Sequence, residues 1–382
     1  MPDPLDTGLA LSGGGYRAML FSLGSLWRLN ELGWLRKLDV VTSVSGGSIV
    51  NGVLATRWKD LQWTHDGVAT NFAPVIAAPV RAMASKTLDV FAGIEGMLSV
   101  FSTISDKVTE SYDKNLFHGA KLASIPEYEK GKTPRFIFYA TSLQTGSSVR
   151  MERKRIADYK IGEVQNPDLP VARVVAASSA FPPVLSPVGL EFKPSDWSVF
   201  PGAQLGNRDD LKSRLLLTDG GVYDNMGLEA IWRRCSTVLV SDAGAPFEAE
   251  AEPHTDWTRQ AIRVLDVVTD QTRALRKRWL MQEFKQSQEE GLEDPTQPAR
   301  KNGTYWGITT RIDNYQVASP MTRDNAATGS LQHIRTRLNE FSPEEQGRLI
   351  NWGYALADAG MRKYVLKGAV PAGSWPDPAF PL

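Results

Sequence analysis

The first 60 residues alternate short apolar runs with glycine-rich turns and helical stretches, and this alternation restricts the fold more than any other feature of the chain. Residues 8–11 form an apolar run that leads into Ser-Gly-Gly-Gly at residues 12–15. Apolar side chains then recur at helical spacing up to Gly33, a typical helix stop. Residues 39–44 are β-branched, as a buried parallel strand would be, and a second helix is predicted over residues 46–58. Two successive strand–turn–helix units predict a parallel α/β sheet.

Later segments extend this plan. Three more apolar runs are typical of strands, at residues 136–141, 215–218 and 238–241. Apolar side chains at helical spacing over residues 257–279 predict one long helix. A last helix is predicted to begin after Ser342, because proline occupies its first position and glutamate its third.

The chain has no internal repeat, low-complexity tract or linker, so we predict one domain over residues 1–382. Within it, residues 68–117 are rich in Ala, Val, Met and Phe with scattered charges, which predicts a helical insertion. This insertion could cover the site as a lid or dock on lipid through Phe91 and Met97, or it could be an ordinary buried helical pair. Residues 246–382 are predicted to form a C-terminal helical portion.

Composition excludes several classes of protein. The 43 basic and 43 acidic residues cancel, so no overall field favours nucleic acid as a partner. The N-terminus lacks the pattern of a signal peptide, and no uncharged apolar run is long enough to span a bilayer. The single cysteine, Cys235, excludes an intramolecular disulfide and a thiolate metal cage, and we predict that it is a core thiol. We therefore expect a cytoplasmic protein without metal or other cofactor, in which the sequon at residues 302–304 is a chance match in a turn.

A serine at a strand-to-helix junction is the first candidate catalytic residue. Ser-Val-Ser-Gly-Gly at residues 43–47 follows a predicted strand directly, and a sharp turn there would push the Ser45 hydroxyl out of the sheet. Ser43 stands where the usual Gly-x-Ser-x-Gly pattern has its first glycine, so Ser43, Ser45 and Ser48 lie close together. Only Ser45 has the right offset to Gly47. The alternative is a serine that merely caps the following helix.

The glycine-rich turn at residues 12–15 is the second candidate. Acyl transfer develops negative charge on a carbonyl oxygen, which preorganised backbone N–H groups stabilise. Gly13, Gly14 and Gly15 would expose such donors at the positive end of a helix dipole. A nucleotide-phosphate loop is a rival interpretation, but the turn lacks the lysine and Ser/Thr of a P-loop. A purely structural glycine turn is the third.

An aspartate at the end of an apolar strand is the candidate general base. Asp219 follows residues 215–218 and precedes two glycines, which would direct it into the crevice where α/β sheets bind ligands. Burial there would raise its pKa toward neutrality, as a base requires. Asp242 ends the next predicted strand and is the alternative base. Taken alone, Asp-Gly-Gly is also a common turn.

Together, the three motifs resemble those of the patatin-like phospholipases, in the same order along the chain. Residues 176–183 and 219–228 also look like that family, and the resemblance spans residues 7–245. It implies an α/β patatin-like three-layer fold with a mainly parallel central sheet, helices on both faces and a helical insertion. It also implies hydrolysis of fatty-acyl esters of glycerophospholipids by a Ser–Asp dyad without histidine.

The same resemblance implies a role for each site residue. Ser45 matches the nucleophile that forms an acyl-enzyme, and Asp219 matches the base that accepts its proton. Four glycines match the oxyanion hole: Gly13, Gly14, Gly15 and Gly46. Arg17 matches a basic residue that orients an anion or supports the structure. The implied partners are a phospholipid or other acyl-ester lipid, a membrane surface contacted peripherally, and an activating small ligand of unknown identity.

Two other functions stay open on the sequence alone. An α/β-hydrolase-type esterase would use a Ser–Asp–His triad, and His254 and His333 follow Ser45 and Asp219 in the required order. His254 lies in an acidic loop, however, and His333 in a polar stretch. A ligand-activated sensor or effector on the same scaffold is the second alternative. The basic cluster at residues 273–278 could touch phospholipid headgroups or form a solvated helix face.

Overall fold

The computed structural model describes residues 5–88, 101–289, 301–366, 368 and 370–382, which form one mixed sheet with helices on both faces. The strands are β1 (Leu5–Leu11), β2 (Val40–Val44), β3 (Arg135–Ser142), β4 (Ser148–Glu152), β5 (Arg155–Asp158), β6 (Gly162–Gln165), β7 (Val188–Glu191), β8 (Trp197–Ser198), β9 (Arg214–Asp219), β10 (Cys235–Asp242) and β11 (Asn302–Gly307). The helices are α1 (Gly15–Glu31), α2 (Gly46–Arg57), α3 (Ala78–Ala84), α4 (Phe101–Tyr112), α5 (Val171–Ser178), α6 (Gly221–Asp224), α7 (Glu229–Trp232), α8 (Trp257–Glu289), α9 (Ala326–Ser330) and α10 (Pro343–Tyr364).

The centre of the sheet is parallel and its far side is antiparallel. Strands β11, β10, β1, β2 and β3 run parallel in that order. Strands β4, β5, β6 and β8 continue the sheet as an antiparallel meander. Strand β9 pairs antiparallel with β3, and β7 pairs antiparallel with β9. The predicted parallel α/β arrangement therefore holds for the part of the sheet that carries the glycine-rich turn and Ser45.

Two strands meet end to end along one edge of β3, and this meeting brings the two predicted catalytic residues together. Strand β2 pairs with β3 up to the Val44–Tyr139 pair. Strand β9 pairs with the next residues of β3, beginning with Asp219 opposite Ala140. Because Ala140 also pairs with β4 on its other edge, β9 must occupy the edge that β2 uses. Val44 and Asp219 therefore pair with consecutive residues of β3, Tyr139 and Ala140. Ser45, which follows Val44, thus lies close to Asp219.

Each face of the sheet carries its own apolar core. Helices α1, α2 and α10 cover one face, where Leu9 and Leu11 of β1 are buried. Ala10 points to the opposite face, which α7 and the end of α8 cover through Ile231 and Phe284. The alternation along β1 is that of a strand buried on both sides. The site residues at the strand ends are therefore held between two packed layers.

Most predicted elements form as expected, with one correction in the C-terminal portion. Helix α1 ends before Gly33, which has a φ of +65°. The Ser342 hydroxyl accepts a hydrogen bond from the Glu345 N–H at 3.2 Å and caps α10. Residues 246–382 contribute not only helices but also β11, which lies parallel to β10. Residues 302–304, predicted to be a turn, are the first residues of that strand.

The described parts of residues 68–117 are helical and packed. Their apolar side chains join the core beside α1 and α2, as the buried Ile76, Val80, Val108 and Tyr112 illustrate. Phe91 and Met97, the candidate docking side chains, lie outside the described residues. Among the helices that are described, none is both long and apolar enough to cross a membrane.

Candidate active site

Ser45 occupies a sharp turn between β2 and α2. Its backbone has φ 51° and ψ −120°, a conformation that is strained for any residue with a side chain. Such strain at a strand-to-helix junction is typical of a nucleophile elbow, because it presents the serine hydroxyl away from both elements. The residue is 8% exposed, so a small part of it reaches the surface of the site.

A chain of hydrogen-bonded hydroxyl groups supports the elbow from the interior of the protein. The Ser45 N–H donates to the Ser178 hydroxyl at 3.1 Å, and the hydroxyls of Ser178 and Ser48 lie 2.7 Å apart. Ser48 donates to Ser43 at 2.9 Å, and Ser43 donates to the Ile137 carbonyl at 3.3 Å. Because a hydroxyl has one proton, Ser178 must be the donor to Ser48. The Ser43 hydroxyl therefore points into the protein, and a serine is accommodated where the usual pattern has glycine.

Ser178 also belongs to the segment that is hydrogen-bonded to Asp219 and Gly220. The Gly220 N–H donates to the Ser178 carbonyl at 3.2 Å, and the Asp219 N–H donates to the Ala180 carbonyl at 2.9 Å. One residue at the end of α5 therefore contacts both Ser45 and the turn after Asp219. Sequence reasoning gave Ser178 no role, although its segment was part of the family resemblance.

Asp219 is a buried carboxylate with the features expected of a base. It is 2% exposed, and its Oδ1 accepts the Gly221 N–H at 2.7 Å. Its Oδ2 is buried and has no aligned hydrogen-bond partner. Burial raises the pKa of the Asp219 carboxyl to about 6, against the smaller lowering effects of the Gly221 N–H and the Ser45 hydroxyl. A carboxylate with one free oxygen and a pKa near neutrality can accept a proton from a neighbouring hydroxyl.

Asp242, the alternative base, is engaged on both oxygens. Arg273 and the Tyr305 hydroxyl bind its Oδ2 at 2.9 and 2.8 Å, and the Gly244 N–H binds its Oδ1 at 3.0 Å. Burial alone would raise the pKa of Asp242, but Arg273 and these hydrogen bonds bring it below its ordinary value. A fully paired carboxylate of low pKa supports the structure and is poorly suited to take up a proton.

The glycine-rich turn packs directly on the elbow. A β-carbon at Gly46 would overlap the carbonyl oxygen of Gly15, so the two turns approach as closely as their backbones allow. Gly15 itself has a φ of +56°, and a side chain there would meet the Thr336 carbonyl. The predicted oxyanion loop and the predicted nucleophile are therefore in contact.

The backbone N–H groups of these glycines differ in availability. The Gly13 N–H donates to the Asn225 carbonyl at 3.0 Å and is occupied by that bond. Among the described residues, no acceptor binds the N–H groups of Gly14, Gly15 or Gly46. These three amides are therefore available as donors, as the predicted oxyanion hole requires.

Arg17 ties the glycine-rich turn to its surroundings. Its Nε and Nη2 donate to the Ala243 carbonyl at 3.2 and 2.9 Å. Its Nη1 donates to the carbonyls of Gln332 and Ile334 at 2.8 and 2.7 Å. Four of the five guanidinium N–H bonds are thus spent on backbone carbonyls, and the side chain is 2% exposed. This arrangement favours the supporting role over an anion-orienting one.

Asn225 joins the loops around the site and was missed by sequence reasoning. Its carbonyl binds Gly13, and its side-chain oxygen lies against Gly13 and 2.6 Å from where a β-carbon of Gly221 would stand. Its side-chain nitrogen lies 2.7 Å from the same point at Gly244. Asn225 therefore packs against the glycine-rich turn, the turn after Asp219 and the loop after β10. Its place in residues 219–228, within the family resemblance, was the only available signal.

The four histidines lie at the surface of the protein. All four histidines are exposed: His65, His118, His254 and His333. His254 contacts Arg259 at 3.1 Å, and His333 contacts Glu248 at 3.4 Å. No hydrogen bond among the described residues joins a histidine to Ser45 or Asp219.

Cys235 is buried, as predicted, and burial raises the pKa of its thiol to about 12, which leaves it protonated and inert at neutral pH.

Replacing each histidine with glutamine should therefore leave turnover within about tenfold of the unmodified protein. The exposed positions of the four side chains also predict a normal melting temperature for each variant. Hydrolysis of a soluble p-nitrophenyl ester provides the measurement. If one of these variants lost as much activity as Ser45→Ala, a Ser–Asp–His triad would replace the dyad.

Comparison with known proteins identifies the family and the fold. A sequence profile described as "Patatin-like phospholipase" matches residues 9–232. The structure resembles human GIVD cytosolic phospholipase A2, with a TM-score of 0.54 and 14% identity over 94% of this chain and 59% of that one. That enzyme in complex with methyl gamma-linolenyl fluorophosphonate gives a TM-score of 0.52 and 16% identity, over 93% and 57% of the two chains. The predicted fold class is thereby confirmed.

One curated relative is similar over a short stretch. The putative meiotic phospholipase SPO1 of Saccharomyces cerevisiae is 42% identical over 48 residues, which are 13% of this chain and 8% of that protein. The chain thus spans less than two thirds of the length of SPO1 and of the human enzyme.

Proposed function

Because this chain belongs to the patatin-like phospholipase family, we propose that it is a lipid acyl hydrolase that cleaves fatty-acyl esters of glycerophospholipids through Ser45 and Asp219. The observation that carries this proposal is the meeting of β2 and β9 on one edge of β3. It sets a strained serine beside a buried carboxylate whose second oxygen is free. Neither feature serves an obvious purpose in folding, and both suit a nucleophile and its base.

The proposed reaction has two steps. Asp219 takes the proton of the Ser45 hydroxyl while the serine oxygen bonds to the ester carbonyl carbon. The bond to the alcohol then breaks, the alcohol oxygen receives the proton, and the acyl group remains on Ser45. In the second step, water gives a proton to Asp219 and attacks the acyl-serine. The fatty acid leaves and the Ser45 hydroxyl is restored.

Backbone amides are proposed to stabilise the negative charge in both steps. The Gly46 N–H directly follows the nucleophile, and the free N–H groups of Gly14 and Gly15 belong to the turn that contacts Gly46 and begin α1 at its positive end. Loss of one such donor costs about 3–4 kcal/mol of transition-state stabilisation in serine hydrolases. Gly13 is proposed to shape the loop through its bond to Asn225 and not to donate to the oxyanion.

A dyad needs no histidine because Asp219 already has the properties of a base near neutral pH. Burial lifts its pKa into the range where it is ionised yet able to accept a proton. His254 and His333, the two histidines that a triad would use, have contacts of their own at the surface. This distribution supports the Ser–Asp mechanism over the triad of an α/β-hydrolase.

An acyl chain as substrate is supported by two exposed apolar side chains on segments that are hydrogen-bonded to β9, the strand that ends with the base. Phe181 is 43% exposed and follows Ala180, whose carbonyl binds the Asp219 N–H. Leu143 is 55% exposed and follows the last residue of β3. Exposed large apolar groups next to a polar centre fit a substrate that joins an ester to a hydrocarbon chain. The human structure that binds a linolenyl fluorophosphonate adds weight by likeness of fold.

The test is direct measurement of the products. Purified protein is incubated with mixed micelles that contain a panel of glycerophospholipids, and released fatty acids and lysophospholipids are quantified by mass spectrometry. Ser45→Ala, purified in the same way, is the control. We expect fatty-acid release that depends on Ser45. Release no greater than that of the control, from every lipid and from short soluble esters, would refute the proposed activity.

A further inference from the structure

Helix α8 carries an apolar stripe that faces solvent. Its members follow one another at intervals of seven, four, seven and four residues, which places them on one side of a helix. Between 46% and 81% of each is exposed: Trp257 81%, Val264 55%, Val268 50%, Leu275 46% and Trp279 60%. We call these five side chains the α8 stripe. A stripe of this kind requires explanation, because contiguous exposed apolar groups mark interaction sites.

The first half of α8 stands away from the body of the protein. The first buried side chain of the helix is Leu280, followed by Phe284 and Ser287. Residues 257–272 are exposed or only partly covered within the described structure, a length of about 24 Å at 1.5 Å per residue. The stripe is therefore accessible along most of its length.

Helix α8 is anchored on the loops that form the active site. Arg273 binds Asp242 and the Ala245 carbonyl, and it lies against Gly244. The neighbouring Ala243 carbonyl lies 2.7 Å from the position that a β-carbon of Gly14 would occupy. One turn further along, Arg276 pairs with Asp224 at 3.5 Å, in the short helix after Asp219. The stripe thus belongs to an element that touches the loop after β10 and the short helix after Asp219, which adjoin the glycine-rich turn and the turn that holds Asp219.

We infer that the α8 stripe docks this protein on a lipid surface and so brings the active site to its substrate; this inference rests on the proposed function. A lipid acyl hydrolase must reach molecules that reside in bilayers or micelles. Amphipathic helices lie in such interfaces with their apolar face buried, and tryptophan is favoured at the headgroup level. Two of the five side chains of the stripe are tryptophans.

The charges of α8 favour lipid over a second copy of the chain. At about 100° per residue, Asp266 and Asp270 lie on the side opposite the stripe, whereas Arg278 borders it within its length and Glu283 lies one turn beyond its end. An arginine beside an apolar face suits a membrane that contains anionic lipid, because Arg can extend its charge to the headgroups. In a helix pair with the same register, Gln271, Arg278 and Gln282 would be buried in the seam at a cost.

The experiment uses the full chain with Ser45→Ala, so that vesicles stay intact. Binding to phosphatidylcholine vesicles with about 30% phosphatidylglycerol is measured by flotation. Val264→Glu with Val268→Glu places two charges in the stripe and should reduce the bound fraction at least about tenfold. Thr258→Glu with Ile262→Glu is the matched control. It adds the same charge at the same spacing on another exposed part of α8, and it should lose much less binding than the stripe variant.

Further measurements separate the other outcomes. With Ser45 intact, both double variants should hydrolyse a soluble short-chain ester within about twofold of the parent, because neither touches the catalytic loops. Equal binding by the stripe variant and the parent would overturn the inference, as would equal loss in both variants. A parent that is dimeric in light scattering and becomes monomeric only in the stripe variant would assign the stripe to a second copy. If Ser45→Ala did not affect ester hydrolysis, the proposed function would fail while the vesicle result would still stand.

Discussion

Ser45→Ala should lower turnover of a p-nitrophenyl acyl ester by about 10³-fold or more. The side chain has no partner that the fold depends on, since the hydrogen bond to Ser178 uses the Ser45 backbone N–H. We therefore expect the melting temperature to be no lower than that of the parent, because alanine leaves the elbow backbone in place. A fluorophosphonate probe should form a covalent bond to the serine oxygen with loss of fluoride, and peptide mapping should locate that adduct on Ser45.

The matched controls for this prediction are the two neighbouring serines. Ser43→Ala removes the acceptor used by Ser48 and by the Asn51 side chain, both at 2.9 Å. Ser48→Ala leaves Ser178 without its acceptor. Each change leaves a buried polar group unpaired, which costs about 1–3 kcal/mol of stability. We expect both variants to melt earlier and yet keep turnover within about tenfold of the parent when assayed well below their melting temperatures. The opposite pattern, an inactive Ser43→Ala and an active Ser45→Ala, would show that Ser43 and not Ser45 is the nucleophile.

The elbow and the glycine-rich turn could be predicted from sequence because their signals are local. A β-branched run from Val40 to Val44 has to end where Ser45 and two glycines begin, and helical periodicity resumes at once. The capping sequence at Ser342 is equally local. In these places strand propensity, turn chemistry and helix start agree, so neighbouring residues alone specify the structure.

The partnership of Ser45 with Asp219 depends on contacts that local patterns do not contain. The sequence suggested a strand end, but not that β9 runs antiparallel to β3 or that it occupies the edge left by β2. The two residues are 174 positions apart (219 − 45), and the register that joins them is set by pairing along Ala140 to Ser142. Only the family resemblance connected them in advance.

Strand β11 also depends on contacts that local sequence patterns do not contain. Residues 302–304 have the composition of a turn, and Gly303 has a φ of +126°. Even so, pairing with β10 places Thr304 beside Leu239 within the sheet. Tertiary pairing here overrides a weak local preference. Arg17 is a related case, because its three backbone acceptors come from segments more than 200 residues away in sequence.

Asp219→Asn should abolish activity and stabilise the protein at neutral pH. Asparagine keeps an oxygen that can accept the Gly221 N–H, but it cannot take the proton of Ser45. We expect a loss of about 10³-fold or more in turnover. For the unmodified protein, kcat/KM should fall about tenfold per pH unit below the carboxyl pKa of about 6, since the base is then protonated.

The effect on stability follows from the direction of the pKa shift. The carboxyl pKa is about 6 in the folded protein and 3.8 in a model peptide, so the folded state binds more protons between these values. Stability from this group is therefore greatest at low pH and declines as pH rises from about 4 to about 6, after which it is constant. The decline corresponds to about 3 kcal/mol, because each pKa unit equals about 1.4 kcal/mol.

Asparagine does not titrate, so the difference in the free energy of unfolding between variant and parent should change by about 2 kcal/mol in favour of the variant between pH 4 and pH 7, where most of the decline occurs. Any fixed cost of the amide N–H groups is the same at both pH values and cancels from this comparison. Urea unfolding at the two pH values measures it, and Asp242→Asn is a contrasting variant. Asp242 has a lowered pKa, so its ionised form stabilises the fold at pH 4 as well as at pH 7, and its replacement should cost about the same at both pH values. If Asp219→Asn gained nothing between pH 4 and pH 7, the buried carboxylate would be ionised without penalty. The physical basis for its role as a base near neutral pH would then be lost.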